Sequence, residues 1–427
     1  MKSLEGILVD SKIKSRRQVR FDETTGLILE MGDLKIPREK IDYYFDDNCL
    51  VFAGMGDIHV HAREDVSQKH IYKEDFLSAS KAALNGGLTH LCDMPNNPIP
   101  PVDDKSYEDK LKLTKNGLIP ILLYAGIGPS TRPLSYLVPY KAYMGPSIGE
   151  LFFKSNKELD EVLKFYKGQH VSFHCEDPEV LVQKKDEKSH LKRRPTKAEV
   201  MATETALNLI EKYHLVGKLC HFSSGEGMNK IRTARANGTT VLCEVTPQHL
   251  FFNDETIPES RKTFFQMNPP IRPKSDQDAM LKALFSGEID FLATDHAPHS
   301  LEEKNQGISG LTGLDTYGAF VTWLIVEKKM DARLAAKVCS ENPGSFVNQF
   351  LPSLKNIDKR FAAFGSGFGK FEKGFYANFT VLNLTIPTAV SKEKLKTKVS
   401  WSPFEGITFP GSVCAVFLGG KLNSQSK

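Results

Sequence analysis

Two histidines one residue apart open the chemistry of this chain. In Asp57-Ile58-His59-Val60-His61-Ala62-Arg63, an extended backbone would send alternate side chains to one face, so Asp57, His59, His61 and Arg63 would share it. Two imidazoles would then converge on one point, as a metal pair requires. The preceding run Leu50-Val51-Phe52-Ala53 is apolar enough for a buried strand, and Gly54 and Gly56 let other backbone approach closely. A bare His-x-His is more often a surface pair on an edge strand. Its weight changes with the polar residues further along: His174, His221, and Asp295 within Thr294-Asp295-His296-Ala297-Pro298-His299.

The elements that must position these residues alternate regularly. Strand candidates fall at 50–58, 88–93, 119–125, 139–144, 170–174, 218–222, 240–245 and 289–294, and helical stretches such as 74–85, 156–168, 197–214, 226–237 and 275–286 lie between them. Eight strands alternating with helices predict a (β/α)8 TIM-type barrel over residues 53–365, whose functional groups gather at the C-terminal strand ends. His59 and His61 end the first strand, His174 the fifth, His221 the sixth and Asp295 the eighth. Residues 1–52 and 366–427 instead read as short strands and turns. Neither end has core enough alone, so the two are expected to pair as a small β-sandwich domain.

Four imidazoles and one carboxylate exceed what one tetrahedral zinc uses while keeping an open position, so they suit two divalent ions. Two cations need an anionic bridge, and the fourth strand end, Tyr140-Lys141-Ala142-Tyr143-Met144-Gly145, offers no carboxylate. An ammonium at Lys141 would be repelled. If the neutral amine captured CO2, the carbamate would supply two oxygens and a negative charge. Taken alone, Lys141 reads as an ordinary salt-bridged lysine.

Composition narrows the field. The chain has 427 residues, 40% hydrophobic and 25% charged, which suits a folded protein with a sizeable core. Its net charge of +4 balances 56 basic against 52 acidic residues, and the basic clusters Lys14 to Arg17 and Lys184 to Arg194 lack interleaved aromatics, so nucleic-acid binding is not expected. Seven scattered cysteines without C-x-x-C pairs fit reduced thiols, and no apolar run reaches the ~18 residues of a membrane span. The N-terminal segment has no signal-peptide apolar region, and the expected location is cytoplasmic. Homo-oligomerisation is left open.

With these motifs in order, the sequence resembles the dihydroorotases of the amidohydrolase superfamily over nearly its whole length. The matching segments are Asp57 to Arg63, Met94-Pro95-Asn96, Lys141 to Gly149, His174-Cys175-Glu176-Asp177, His221-Phe222-Ser223-Ser224, Glu244-Val245-Thr246-Pro247, Asn268-Pro269-Pro270-Ile271-Arg272 and Asp295 to His299. The resemblance implies that His59, His61 and Asp295 hold one metal, that His174 and His221 hold the other, and that carbamylated Lys141 bridges them, with zinc the first expectation. It implies that Asp295 is the general base and then acid of a reversible ring opening, dihydroorotate to N-carbamoyl-aspartate. The substrate carboxylate would fall to Arg63, Asn96 and His299, and the ring polar groups to Asn268.

Asn97, Pro98, Pro146, Ile148 and Gln248 depart from the family pattern, which bears on pocket shape rather than on ligands. Gly307 to Gly313 is expected to be a lid, a backbone contact to the ring, or a plain surface loop. Two other readings compete: a hydantoinase, dihydropyrimidinase or allantoinase with the same metal centre, and a non-catalytic scaffold. Arg63 and the filled ligand positions argue against them.

Overall fold

The computed structural model describes residues 1–146 and 151–425. Ser147, Ile148 and Gly149 of the lysine segment lie outside the described residues. Eight parallel strands form the barrel: Met55–Val60, Leu88–Asp93, a third broken at Tyr124 into Ile121–Leu123 and Ala125–Ile127, then Tyr140–Tyr143, His170–His174, Val216–Leu219, Val241–Val245 and Phe291–Leu292. The ring closes where Val60 bridges His296 in parallel and His61 N donates to His296 O at 2.8 Å. Asp57 adds a side-chain clasp, accepting from Thr294 Oγ1 at 2.5 Å and from Thr294 N at 3.1 Å.

Most of the expected helices occur within a residue or two of the sequence reading, as Phe76–Asn85, Thr196–Tyr213, Gly225–Ala236 and Lys274–Phe285; the helix from Asn156 stops at Leu163 and continues as a tighter turn to Tyr166. The first begins in a capping box, with Asp75 accepting from Ser78 N, which satisfies amide groups the helix cannot pair itself. Tyr317–Val326 is apolar around its circumference, and nine of its ten residues are buried. It lacks the one-sided stripe of a surface helix because it is enclosed on all sides.

One expectation needs correction. Residues 50–58 are not a single barrel strand. Cys49–Phe52 belongs to the terminal sheet and Met55–Val60 to the barrel, with Gly54 at φ +75° making the bend between them. The uninterrupted apolar text hid this break because both strands are buried.

The two chain ends meet in one eight-stranded sheet, where Cys49–Phe52 lies between Lys2–Val9 and Phe379–Asn383. This sheet wraps an aromatic core in which Phe21, Tyr43, Phe379 and Phe417 touch. Thr380 joins it to the base of the barrel: its Oγ1 accepts from Met55 N at 3.0 Å and donates to Gly87 O at 2.7 Å.

The C-terminal segment also crosses to the opposite end of the barrel. Lys396 N and Thr397 N donate to Asp315, Thr397 Oγ1 donates to Glu74, and Trp401 Nε1 donates to His299 O at 2.8 Å. Residues remote in sequence thereby hold the backbone beside the strand ends. None of the described helices is long and apolar enough to cross a membrane.

Candidate metal centre and active site

His59 leaves the end of the first strand with its Nδ1–H donating to Glu244 on the seventh. Its Nε2 is therefore free and lies 3.3 Å from Asp295 Oδ1. His61 repeats the arrangement: Nδ1–H donates to Asn96 Oδ1 at 2.6 Å, and Nε2 lies 3.1 Å from the same Asp295 oxygen. A hydrogen bond at one ring nitrogen selects the tautomer that presents the other as a lone pair. These two histidines and Asp295 form a buried donor triplet suited to a metal ion.

In the second pair His174 presents the opposite nitrogen. His174 Nε2–H donates to Glu176 Oε2 at 2.9 Å, leaving Nδ1 facing His221 Nε2, also at 2.9 Å. The pairs adjoin, with the His59 and His221 rings 5.2 Å apart between centroids. Burial is the largest influence on all four imidazoles and holds each below its ordinary pKa, so each is neutral at physiological pH and able to offer a lone pair. Burial also pushes Asp295 up to about 7, against the opposing charge of Lys141.

Lys141 lies wholly buried among these groups, and its charge acts on His59, His174, His221 and Asp295 alike. Its Nζ has no conventional hydrogen-bond partner among the described residues; the Cys220 thiol is beside it. An unsatisfied amine at the centre of a donor cluster is an expensive arrangement unless something else binds it. The donor set thus fits a two-metal centre: unprotonated nitrogens, one carboxylate oxygen, and an orphaned amine between them.

Glu244 and Glu176 carry positioning roles that the sequence reading did not assign, although both stand in the quoted motifs. Glu244 accepts from His59 and from His221 N and pairs with buried Lys218. Glu176 accepts from His174 and pairs with Arg194. Their signal was a carboxylate at a strand end with a cation elsewhere in the chain, which spacing alone cannot pair. Removing one partner of the Lys218–Glu244 pair would strand a buried charge, at a cost of ~3 to 5 kcal/mol. Cys220 lies within the same reach of His59 and Glu244.

Three functional candidates adopt left-handed backbone: Arg63 at φ +63°, His221 at +37° and Asp295 at +48°. Such residues cost ~1 to 3 kcal/mol each and persist where surrounding bonds over-determine them. Around Asp295 those bonds are Thr294 to Asp57 and His296 N to Thr294 Oγ1. The same geometry corrects the reading of Asp57 to Arg63 as one extended run. The strand ends at Val60, and a turn redirects Arg63.

Above the ligand cluster is a cavity of about 320 Å³ lined by His59, His61, Arg63, Asn96, Tyr143, Pro146, His174, His221, Asn268 and Asp295, with Ala297 and Gly307 to Gly310 completing its wall. Of the ten residues singled out from sequence, only Lys141 and His299 do not line it. Lys141 lies buried beside the candidate ligands, and the His299 ring lies against Arg63 Nη2 with its Cδ2 edge toward Gly310 of the cavity wall. Asn268 Oδ1 is buried without a partner among the described residues, available to a ligand donor. Asn96 spends its carbonyl on His61, leaving its NH2 group for the cavity.

Arg63 is 3% exposed, donates to Pro298 O and lies beside His299 Nε2, both at 3.3 Å. No carboxylate among the described residues pairs with it. Gln248 donates to Thr312 O and Asn97 accepts from buried Lys110, so these two departures from the family pattern serve the scaffold.

Fold and site together define a cyclic-amidohydrolase barrel. It superposes on the L-hydantoinase (dihydropyrimidinase) of Arthrobacter aurescens with a TM-score of 0.84 at 20% identity, over 99% of this chain and 96% of that one. A D-hydantoinase gives 0.82 at 20% identity, over 99% and 95%. No family model matches the chain. Sequence relatives are more specific. A dihydroorotase of Thermococcus kodakarensis is 31% identical over 402 residues, 93% of this chain and 88% of its own length. One from Listeria monocytogenes is 29% identical, over 94% of each. The chain belongs to the dihydroorotase family, hydrolases that act on a cyclic amide.

Proposed function

We propose that this enzyme interconverts L-dihydroorotate and N-carbamoyl-L-aspartate, the ring-closing and ring-opening directions of one reaction in pyrimidine biosynthesis. The observation that carries the choice of substrate is the buried guanidinium of Arg63, which faces the cavity without an ion-pair partner among the described residues. A buried charge calls for a counter-charge, and a substrate carboxylate supplies it in the bidentate form arginine prefers. A neutral hydantoin ring would leave it unmatched.

In this reading His59, His61 and Asp295 would hold one divalent ion and His174 and His221 a second, and carbamylated Lys141 would supply the anionic charge that both need, zinc being the first choice for such a nitrogen and oxygen set. Ions held there supply an activated water near neutral pH and polarise the amide carbonyl. Asp295 takes the proton of the attacking water and returns it to the ring nitrogen as that bond breaks. In the reverse direction it removes the proton from the same nitrogen. Arg63, His299 and the Asn96 amide fix the carboxylate, Asn268 orients the ring, and the Gly307 to Gly310 wall shields the reacting carbonyl from bulk water. A cytoplasmic location belongs to this reading, supported by seven free thiols.

The test is ring opening and closure by purified protein of measured metal content, with hydantoin and allantoin as controls. Selective turnover of dihydroorotate is expected. Preference for a neutral ring would overturn the assignment. Ring closure consumes a proton, so the equilibrium ratio of dihydroorotate to open form should fall about tenfold per pH unit above the carboxyl pKa.

A further inference from the structure

His299 sits between two cations. Its Nε2 is 3.3 Å from Arg63 Nη2, and its Nδ1 is 3.3 Å from Lys73 Nζ. Glu303 Oε2 lies 3.3 Å from that same Nδ1, while Glu303 Oε1 pairs with Lys73 at 2.6 Å and accepts from Tyr72 at 2.9 Å. Arg63, Lys73 and His299 are all buried. The supports are fixed as well: Glu74, next to Lys73, accepts from Thr397 Oγ1 and Lys398 N, and Trp401 anchors the His299 carbonyl.

A neutral imidazole has one N–H and one lone pair, so these contacts cannot all form at once. If Nδ1–H donates to Glu303, the Nε2 lone pair accepts from Arg63 and the ring has nothing to give a ligand. If Nδ1 instead accepts from the Lys73 ammonium, the hydrogen sits on Nε2. That N–H and the Arg63 N–H can then reach the two oxygens of one carboxylate. An imidazolium would donate at both nitrogens, but a cation 3.3 Å away on either side opposes it.

We propose that Lys73 is a positioning residue for carboxylate recognition, selecting the Nε2–H form of His299 when the anion reaches Arg63. The proposal rests on the reading that Arg63 and His299 hold the substrate carboxylate. Lys73 does not touch the substrate. It determines what His299 offers.

The decisive variant is Lys73→Met in the full-length, metal-loaded enzyme, compared with Arg63→Met and Lys73→Arg. For Lys73→Met, KM for dihydroorotate should rise roughly 10- to 100-fold, the scale of a lost hydrogen bond to a charged group, with a much smaller change in kcat. Turnover of 5,6-dihydrouracil, the same ring without the carboxylate, should not share that loss, and Lys73→Arg should recover much of the affinity. Unchanged KM in Lys73→Met with a large loss in Arg63→Met would overturn the role of Lys73 alone. Unchanged affinity in Arg63→Met would instead remove the carboxylate reading beneath it. Nitrogen-15 spectra of histidine-labelled wild-type enzyme, with the His299 signals assigned by their loss in His299→Asn, give a readout that needs no Lys73 variant. With dihydroorotate and its open form bound at equilibrium, the Nε2–H signature is expected; an Nδ1–H ring in that state would overturn the proposal.

Discussion

His174 Nδ1 lies 2.9 Å from His221 Nε2, two buried ring nitrogens brought together from adjacent barrel strands. Both imidazoles are held neutral by burial, and His174 is turned by its bond to Glu176 so that a lone pair meets its neighbour. Such an approach suits a shared cation. Metal-loaded wild-type protein should contain roughly two ions per chain, and His174→Ala should lose about one of them. A full complement in the variant, measured by elemental analysis, would place the second ion elsewhere.

Lys141 tests the bridge. Lys141→Ala should lose most activity and part of its metal, and short carboxylic acids such as propionate should restore some of both by occupying the vacated space. Unaltered metal content and turnover in Lys141→Ala would show that its buried amine is merely structural.

For Asp295, replacement by Asn keeps the shape of the side chain but removes the base. Both reaction directions should slow by ~10² to 10⁴-fold from the proton transfer alone, with a further loss through weakened metal binding. Initial rates from each side of the equilibrium give the comparison, and near wild-type activity in either direction would exclude the role.

Arg63→Met retains much of the side-chain length without the donor fork. Truncating one side of a hydrogen-bonded charge pair costs ~2 to 5 kcal/mol, so kcat/KM for dihydroorotate should fall about 30-fold to several thousand-fold. Metal content should be unchanged. Equal losses on 5,6-dihydrouracil would mark Arg63 as a scaffold residue.

Lys304 braces the cavity wall, its Nζ donating to Gln266 O, Ile308 O and Gly310 O at 2.8 to 2.9 Å from a fully buried position. Burial pushes this ammonium down to about 7 from 10.5. Between those values the unfolded chain keeps the proton that the folded chain releases, so the Lys304 contribution to stability rises with pH across that window. Below pH 7 both states are charged and the full burial cost applies, offset in part by the carbonyl oxygens. The Tm of wild type relative to Lys304→Met should therefore improve from pH 6.5 to pH 9. A gap that narrows over that range would contradict the assignment.

Sequence alone determined the barrel through its alternation of strands and helices, and the residues that gather at one end of it through residue types at strand ends. His59, His61, His174, His221 and Asp295 were legible because a barrel gathers C-terminal strand ends whatever lies between them. Glu176 turns His174 from two residues away, whereas only tertiary structure decided which nitrogen His59 and His61 present, because Glu244 and Asn96 make that choice across strands and loops that local patterning does not connect. The same holds for Lys73 behind His299 and for Trp401, which reaches the site from 102 residues away. The break at Gly54 was equally hidden, since two buried strands of different sheets read as one apolar run. Local periodicity records how each segment meets the core; the partner across the core is set by closure of the whole ring.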